Sequence, residues 1–327
     1  MQVATTMRDN KVKFRKYLEN TPNTPVYIQD WYLDVVCGKE NWNVCVVEKG
    51  ADVVGVLPYY IKQNKFFTWI AMPPLSKMHG PYIAEQYRNG KHHHQVVDEL
   101  LEQLPKVDFY QQGLNYDFEN WLPYLWKGYS QVTLYSYVFK TIEADNILAV
   151  MDSDCRRRIK KADEQLEIKF DLKIGEFHKL LGKTFERQNL KVPFEEPFLT
   201  DYYNEVRRRN AGNLLCITDK NGVVHSAALV IHDKQSAYYL LEATDPDAPN
   251  KHAAIFMKWK ALLFTKEVLG LNRFDFEGSI SRRIEKIYRE FGAEAEPYFV
   301  IKKYHSRMFL GLKFVQNYRQ YGKLVQW

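Results

Sequence analysis

The stretch Asn43-Val-Cys-Val-Val-Glu-Lys-Gly50 recurs about half a chain later as Leu214-Leu-Cys-Ile-Thr-Asp-Lys-Asn-Gly222. In both copies an apolar run ends in an acidic residue and a lysine, and a second apolar run follows, at Val53 and at Val223. A tight turn between two apolar runs is typical of a β-hairpin, and the Asn-Gly pair of the second copy supplies the positive backbone angles that such a turn needs. The stretch therefore predicts two similar hairpins, although a match this short also fits two unrelated ones.

The order of the elements that follow each hairpin favours a true repeat. Both halves show strand, helix, strand, helix and strand in the same order. In the first half we predict these elements at 65–71, 85–104, 107–113, 118–126 and 133–140. In the second half we predict them at 236–241, 253–269, 273–277, 280–291 and 297–302. Strands that alternate with helices predict an α/β fold, with a mixed sheet flanked by helices in each half.

The repeat also predicts the domain organisation. We expect an N-terminal domain at 1–145 and a C-terminal domain at 146–327, with the boundary inside 141–148. The second domain would begin with a basic connecting helix at 152–166, whose Asp152 and Ser153 suit an N-cap and the positive end of the helix dipole.

Composition and charge describe an ordinary globular protein. The 327 residues include 46 Lys plus Arg and 40 Asp plus Glu, which gives a net charge of +6. The length fits about two domains of ~150 residues, and the 46% hydrophobic and 26% charged fractions argue against disorder. The sequence shows neither a secretory signal nor a run of the ~18 apolar residues that a membrane span requires. We therefore expect a soluble, cytoplasmic protein.

Neither the cysteines nor the histidines predict a metal site. Cys37, Cys45, Cys155 and Cys216 lack CxxC spacing, which favours free thiols in a reducing compartment. The adjacent histidines at 92–94 do not form a facing i, i+4 pair, so an exposed turn explains them better than a metal. The sequence also lacks the P-loop, Gly-x-Ser-x-Gly, His-Glu-x-x-His and dinucleotide-binding motifs, which excludes the corresponding ATPase, hydrolase and dehydrogenase classes.

Two motifs carry a resemblance to a known family. One is Arg156-Arg-Arg-Ile-Lys-Lys-Ala162, and the other is Phe274-Asp-Phe-Glu-Gly-Ser279, which is followed by Ile287-Tyr-Arg-Glu-Phe-Gly-Ala293. Together with the duplicated order of elements, they resemble the Fem-like family of tandem GNAT N-acyltransferases. That family includes peptidoglycan bridge-forming aminoacyltransferases and acetyltransferase-like proteins of envelope biosynthesis. The resemblance implies two tandem GNAT-like domains joined by a basic helix.

The resemblance further implies an acyl-CoA or an aminoacyl-tRNA as co-substrate, with no permanently bound cofactor. Relatives that use acetyl-CoA hold its pyrophosphate with a glycine-rich loop before the third helix of the domain, where backbone N–H groups close on the phosphates. The corresponding stretch here is Asp245-Pro-Asp-Ala-Pro-Asn-Lys-His-Ala-Ala254, which contains no glycine. We assign the co-substrate contacts to Asn250, Lys251 and His252, and the missing glycines put CoA binding of the usual kind in question.

Transfer of an acyl group to an amine needs a base and donors for the developing oxyanion. Glu242 and Glu277 lie at predicted strand ends and are the candidate bases. In a strand with period two, Asp275 and Glu277 share a face, where two carboxylates can raise each other's pKa. The alternative is that Glu277 caps a helix or pairs with Arg282 or Arg283, and that Asp275 is an ordinary buried partner.

Blocks of basic residues suggest a phosphate-bearing substrate. On the connecting helix, Arg157, Lys160 and Lys161 share a face by their i, i+3, i+4 spacing. Tyr288 stands where some bridge-forming relatives carry a lysine. The predicted substrate-binding residues are Arg156, Arg157, Lys160, Lys161, Arg282, Tyr288 and Arg289. The alternative is that the basic residues form solvated helix surfaces.

The predicted function is N-acyl transfer to an amine in the biosynthesis of an envelope component. Its partners would be a small molecule or an envelope precursor, with an aminoacyl-tRNA as the alternative donor and no DNA. The basic clusters also allow peripheral contact with an anionic membrane. The alternative function is a non-catalytic GNAT-like protein that binds an anionic ligand in a basic groove.

Overall fold

The computed structural model of the protein describes residues 2–143, 147–278 and 281–321, and the side chains within 9–316 of these. The chain forms two compact units. The first combines Met1–Leu134 with Pro297–Trp327, and the second is Tyr135–Glu296.

Helices and strands alternate along the chain, and in each half helices precede the hairpin. The first unit contains α1 (Gln2–Asn20), α2 (Asp30–Cys37), β1 (Trp42–Lys49), β2 (Asp52–Gln63), β3 (Thr68–Ala71), β4 (Tyr82–Ile83), α3 (Gly90–Glu102), β5 (Phe109–Gly113) and α4 (Leu122–Trp126), and the chain leaves it within β6 (Ser130–Phe139). The second unit contains α5 (Ser153–Asp163), β7 (Leu166–Lys169), α6 (Ile174–Glu186), α7 (Glu196–Arg208), β8 (Gly212–Asp219), β9 (Val224–His232), β10 (Ser236–Thr244), α8 (Ala253–Leu263), β11 (Arg273–Asp275) and α9 (Arg282–Glu290). The chain returns to the first unit within β12 (Glu294–Tyr304) and ends in α10 (Arg307–Tyr321).

Each unit builds a mixed sheet around its hairpin. In the first unit the strand order is β1-β2-β3-β5-β12, with β4 also paired to β2, and β3–β5 is the parallel pair. In the second unit the order is β6-β11-β10-β9-β8-β7, and β10–β11 is the parallel pair. Both repeated stretches form antiparallel hairpins, β1–β2 and β8–β9. The predicted α/β class and both predicted hairpins are confirmed.

The division into units differs from the predicted boundary at 1–145 and 146–327. Residues 135–143 belong to the second unit, because Val138 and Phe139 pair with β11. The C-terminal segment belongs to the first unit, because residues 300–304 of β12 pair antiparallel with β5. Residues 144–146 of the predicted boundary lie outside the described residues. Sequence order alone could not reveal that the chain returns to its first unit.

One helix covers much of each core. In the first unit α3 places Val96, Val97 and Leu100 against the sheet, and Gly55 lies so close that an added Cβ would be 2.5 Å from Val96 Cγ1. In the second unit Phe256 and Met257 of α8 are buried in the core. Close packing of this kind fixes the position of each helix relative to its own sheet.

The connecting helix packs on the second core by a narrow face. In α5 the buried residues are Cys155, Ile159 and Ala162, which recur at the spacing of one helical face. The basic residues between them project elsewhere. All four cysteines of the protein are buried and free. Among the described helices none is both long and apolar enough to cross a bilayer.

A buried histidine in the first unit gives a testable pH dependence. Burial lowers the pKa of His79 to about 3 from its ordinary 6.5. Between pH 6.5 and about 3, the histidine of the unfolded chain is protonated while that of the folded chain is not. The contribution of His79 to the free energy of unfolding is therefore full above pH 6.5 and falls as the pH decreases. We expect His79→Gln to remove about 1.4 kcal/mol per pH unit from the slope of the unfolding free energy between about pH 5 and 6.

Urea denaturation at several pH values measures this slope. His92→Gln, which changes an exposed histidine of α3, is the matched control and should leave the slope close to that of the unchanged protein. The prediction fails if His79→Gln keeps the full pH dependence, as the control does.

Candidate active site

The parallel pair β10–β11 of the second unit separates after three residues. Among the described residues, 236–238 pair with 273–275, while β10 continues to residue 244 along β9 alone. A bulge leaves Leu240 outside the pairing with β9. Residues 236–239 are buried, but 240–242 are only half-buried. The strand therefore becomes accessible at the point where β11 leaves it.

A buried ion pair lies at this opening. Lys258 of α8 donates a hydrogen bond to Oε2 of Glu242 on β10. The side chain of Lys258 is 5% exposed and that of Glu242 is 22% exposed. Oε1 of Glu242 is buried and, within the described part of the chain, accepts no hydrogen bond of standard geometry. The carboxylate is thus held at Oε2 by the lysine, whereas its Oε1 is buried.

Two buried phenols accompany this carboxylate. Burial first, and then the charge of Glu242, raises the pKa of Tyr239 well above its ordinary value. Burial also raises the pKa of Tyr288, and Glu242, Glu277 and Asp275 add to this effect. The ring of Tyr288 stacks on Phe276 with a centroid separation of 4.5 Å. Both phenols therefore keep their protons at neutral pH.

Asp275 fixes the end of β11. Its carboxylate is fully buried, and Oδ1 accepts hydrogen bonds from the hydroxyl of Ser136 and, at 2.8 Å, from the backbone N–H of Glu277. The strand ends at Asp275, and Glu277 has a φ of 63°. The period-two argument that placed Asp275 and Glu277 on one strand face was therefore wrong, because the strand ends between them. Both carboxylates nevertheless act on the phenol of Tyr288.

Basic residues of α5 lie near the N-terminus of α8. Burial lowers the pKa of His252, the residue before α8, and the nearby charges of Arg158, Lys161 and Arg157 lower it further. The structure therefore brings two of the predicted substrate-binding residues, Arg157 and Lys161, to one of the predicted co-substrate residues. Arg157 also pairs with Asp154 of its own helix.

The remaining predicted residues have varied surroundings. Arg156 donates to the carbonyl oxygens of residues 148, 149 and 151, so its guanidinium holds the segment before α5. Lys160 is exposed on α5. On α9, Arg282 is exposed and Arg289 donates to Glu285 at 3.1 Å. The alternative of a solvated helix surface fits these α9 side chains, whereas Tyr288 of the same helix is buried.

The loop before α8 is organised by its own hydrogen bonds. Asn250 Oδ1 accepts the N–H of His252 at 2.9 Å, and Asn250 Nδ2 donates to Gln165 at 3.0 Å. Lys251 donates to the carbonyl oxygen of Ala248 at 3.2 Å. These contacts order the loop that, in the predicted role, would meet the co-substrate.

Comparison with known families agrees with this architecture. Residues 151–296 match the model of a family described as an acetyltransferase (GNAT) domain. The matched residues fall within the second unit, and this region is referred to below as the GNAT domain. The opening between β10 and β11, the ion pair and both phenols all lie inside it.

Solved structures share the fold along most of the chain. A crystal structure of FemX has a TM-score of 0.66 at 11% identity, covering 91% of this chain and 94% of that one. The C-terminal domain of a putative lysylphosphatidylglycerol synthetase from Agrobacterium fabrum has a TM-score of 0.58 at 11% identity, covering 94% and 97%. The L-PGS structure from Bacillus licheniformis has a TM-score of 0.53 at 10% identity, covering 85% and 88%. No curated protein sequence matches the chain. The predicted resemblance to Fem-like GNAT proteins is confirmed at the level of the fold.

Sequence analysis missed several residues of the site in the GNAT domain. Lys258 lies in the apolar helix Ala253–Leu263, where a lone buried lysine signals a need for a buried partner. Ser136, Tyr239 and Arg158 gave no such signal, because their roles depend on contacts with distant segments. Arg158, for example, pairs with Glu290 at 2.8 Å.

The ion pair of the GNAT domain predicts a stability effect. We expect Lys258→Met to lower the free energy of unfolding by about 3 kcal/mol, because it leaves the Glu242 carboxylate buried without its cation. The double variant Lys258→Met/Glu242→Leu should recover at least half of this loss. Urea denaturation measures both effects.

Lys286→Met is the matched control. It removes an exposed lysine that lies 3.6 Å from Glu290, and Glu290 keeps its closer partner Arg158, so the expected change is within about 0.5 kcal/mol. Equal losses of unfolding free energy in the single and double variants would show that Lys258 does not stabilise the protein through its ion pair with Glu242.

Proposed function

We propose that the protein transfers an acyl group to an amine in building a cell-envelope component. The observation that carries the proposal is the half-buried carboxylate of Glu242, which pairs with the buried Lys258 at the point where β10 and β11 separate inside the GNAT domain. The names FemX and lysylphosphatidylglycerol synthetase belong to the structural neighbours, and they support the envelope as the setting. The expected cytoplasmic location remains a prediction.

The chemistry needs a base, an oxyanion donor and an acid. The amine nitrogen attacks the acyl carbonyl carbon, a C–N bond forms, and the bond to the leaving group breaks, which is C–S for an acyl-CoA or the ester C–O for an aminoacyl-tRNA. Glu242, whose side chain is 22% exposed, accepts the proton of the amine directly or through one water. Backbone N–H groups at the bulge around Leu240 are the candidate oxyanion donors. The proton taken up by Glu242 passes to the leaving thiolate or alkoxide, and Tyr288, which keeps its own proton, is the candidate hydrogen-bond donor to that leaving group.

Glu277 is the alternative base. It lies in a left-handed turn beside Gly278, where an added Cβ would be 2.7 Å from the carbonyl oxygen of Tyr135, so this turn is tightly constrained. The charge of Glu277 helps to raise the pKa of Tyr288, as the charge of Glu242 does. Asp275 acts as a positioning residue in this scheme, because its carboxylate holds the backbone of Glu277.

The acyl donor carries phosphate groups, whether it is an acyl-CoA or an aminoacyl-tRNA. The positive end of α8 and the nearby Arg157, Arg158 and Lys161 form the best-placed basic cluster of the GNAT domain. The rise of 1.5 Å per residue places Lys258 about 7 Å along the helix from Ala253, so a donor bound at the N-terminus of α8 extends toward Glu242. Since the loop 245–254 lacks glycine, the phosphates would be held by side chains more than by loop amides.

The second candidate function is binding without chemistry. The ion pair between Glu242 and Lys258 favours it, because a carboxylate committed to a lysine is a poorer base. In that case the basic cluster would hold an anionic ligand, and both glutamates would be structural.

Mass spectrometry of co-purified ligand, followed by assays with a panel of acyl-CoAs and with aminoacyl-tRNA, tests the proposal. We expect thiol release or tRNA-dependent transfer to an amine, and a decrease in kcat of at least about 100-fold in Glu242→Gln or in Glu277→Gln. Glu267→Gln, at an exposed position beyond α8, is the matched control and should keep full turnover.

Unfolding curves of each variant separate loss of activity from loss of structure. No transfer with any donor would overturn the enzyme proposal and leave ligand binding. Full turnover in both Glu242→Gln and Glu277→Gln would remove these two residues as bases.

A further inference from the structure

The C-terminal helix α10 leaves most of its apolar side chains in solvent. It packs on the first unit through Phe309, which is 5% exposed and lies 5.2 Å from Phe67 and 5.4 Å from Phe109 between ring centroids. Met308 is 63% exposed and Phe314 is 55% exposed. Leu310, Leu312 and Val315 are exposed as well. A helix face in contact with water is normally polar, so this one calls for a covering surface.

The turn between β2 and β3, which contacts α10 through Phe67, carries a further exposed aromatic side chain. Phe66 at its tip is 72% exposed, and the next residue, Phe67, contacts Phe309 of α10. The turn therefore lies beside the helix. We use the term apolar patch for six exposed side chains, those of Phe66, Met308, Leu310, Leu312, Phe314 and Val315.

Basic residues accompany the apolar patch. Within the described part of α10, Arg307 and Lys313 are basic, and the sequence of residues 307–321 contains no aspartate or glutamate. Lys65 lies 5.8 Å from the ring centroid of Phe66. A carboxylate does occur nearby, in Asp108, but it accepts the backbone N–H of Thr68 at 2.9 Å. The patch thus combines exposed aromatic and aliphatic side chains with an excess of positive charge.

We propose that the apolar patch docks the protein on an anionic lipid membrane. Apolar side chains on a helix that lies in the interface enter the acyl boundary, while lysines and arginines beside them contact acidic headgroups. An anionic membrane would therefore cover the apolar side chains and pair with the basic ones. A second copy of the chain fits less well, because a two-fold contact would bring the same basic residues together with no carboxylate on the helix to pair with them.

The location differs from the one that the sequence suggested. Peripheral membrane contact was predicted through the basic clusters, of which α5 and α9 are the main ones. The apolar patch lies instead on the first unit and outside the GNAT domain. The proposal therefore stands independently of acyl transfer.

Co-sedimentation with vesicles tests the membrane proposal. The vesicles contain phosphatidylcholine alone or phosphatidylcholine with about 30% phosphatidylglycerol. We expect the full chain to bind the anionic vesicles and to bind less at high salt. Leu310→Gln/Phe314→Gln should lower the partition coefficient at least about tenfold, and Lys65→Gln/Arg307→Gln should lower it about 25-fold, at about fivefold per charge.

The matched control is Leu190→Gln/Val223→Gln, which changes two exposed apolar residues of the second unit and should leave binding unchanged. Circular dichroism and sedimentation velocity accompany each variant. The proposal is overturned if the protein does not bind anionic vesicles, or if the patch variant binds as the unchanged chain does. Self-association that the patch variant abolishes, without vesicle binding, would assign the patch to a dimer contact instead. Because the readout is binding and not turnover, the outcome does not depend on any acyl-transfer assay.

Discussion

The early end of the β10–β11 pair is the constraint on which the candidate site depends. Three paired residues hold the two strands together, and beyond them β10 follows β9 alone. The separation is fixed by contacts at both strands. Asp275 ties the end of β11 to Ser136 and to the backbone of Glu277, and the bulge at Leu240 redirects β10. Without this separation Glu242 would stand on a continuous strand, with no accessible backbone beside it.

Electrostatics then divides the GNAT domain into two neighbouring regions. At the opening, burial and the charge of Glu242 raise the pKa values of two phenols, and Asp275 and Glu277 add to the effect at one of them, Tyr288. Lys258 provides the positive charge that balances Glu242. At the N-terminus of α8, basic residues of α5 gather around His252. One helix, α8, contributes to both regions, so it sets the distance between the place that suits phosphates and the place that suits proton transfer.

The sequence predicted local features well, because hairpins and helices follow from turn residues and apolar spacing. The two hairpins, the connecting helix and the order of elements are examples, and the Fem-like fold followed from them. Features that depend on contacts between distant segments were not accessible. Arg156 looked like a phosphate ligand, but its guanidinium serves three carbonyl groups before α5. Asp275 and Glu277 were predicted to share one strand face, but the strand ends at Asp275. The sequence could not show this, because Asp275 is bound by Ser136, which lies well over a hundred residues earlier in the chain.

The return of β12 to the first unit has a consequence for biosynthesis. Residues 135–296 are contiguous, so the second unit is complete once they have left the ribosome. The first unit must wait longer, because β5 gains its β12 partner only when residues 300–304 emerge. Domains usually fold in the order of their synthesis, with the N-terminal one first. In this chain the contiguous second unit can be complete first, and β5 remains an open strand edge, of the kind that invites aggregation, until residues 300–304 have been synthesised.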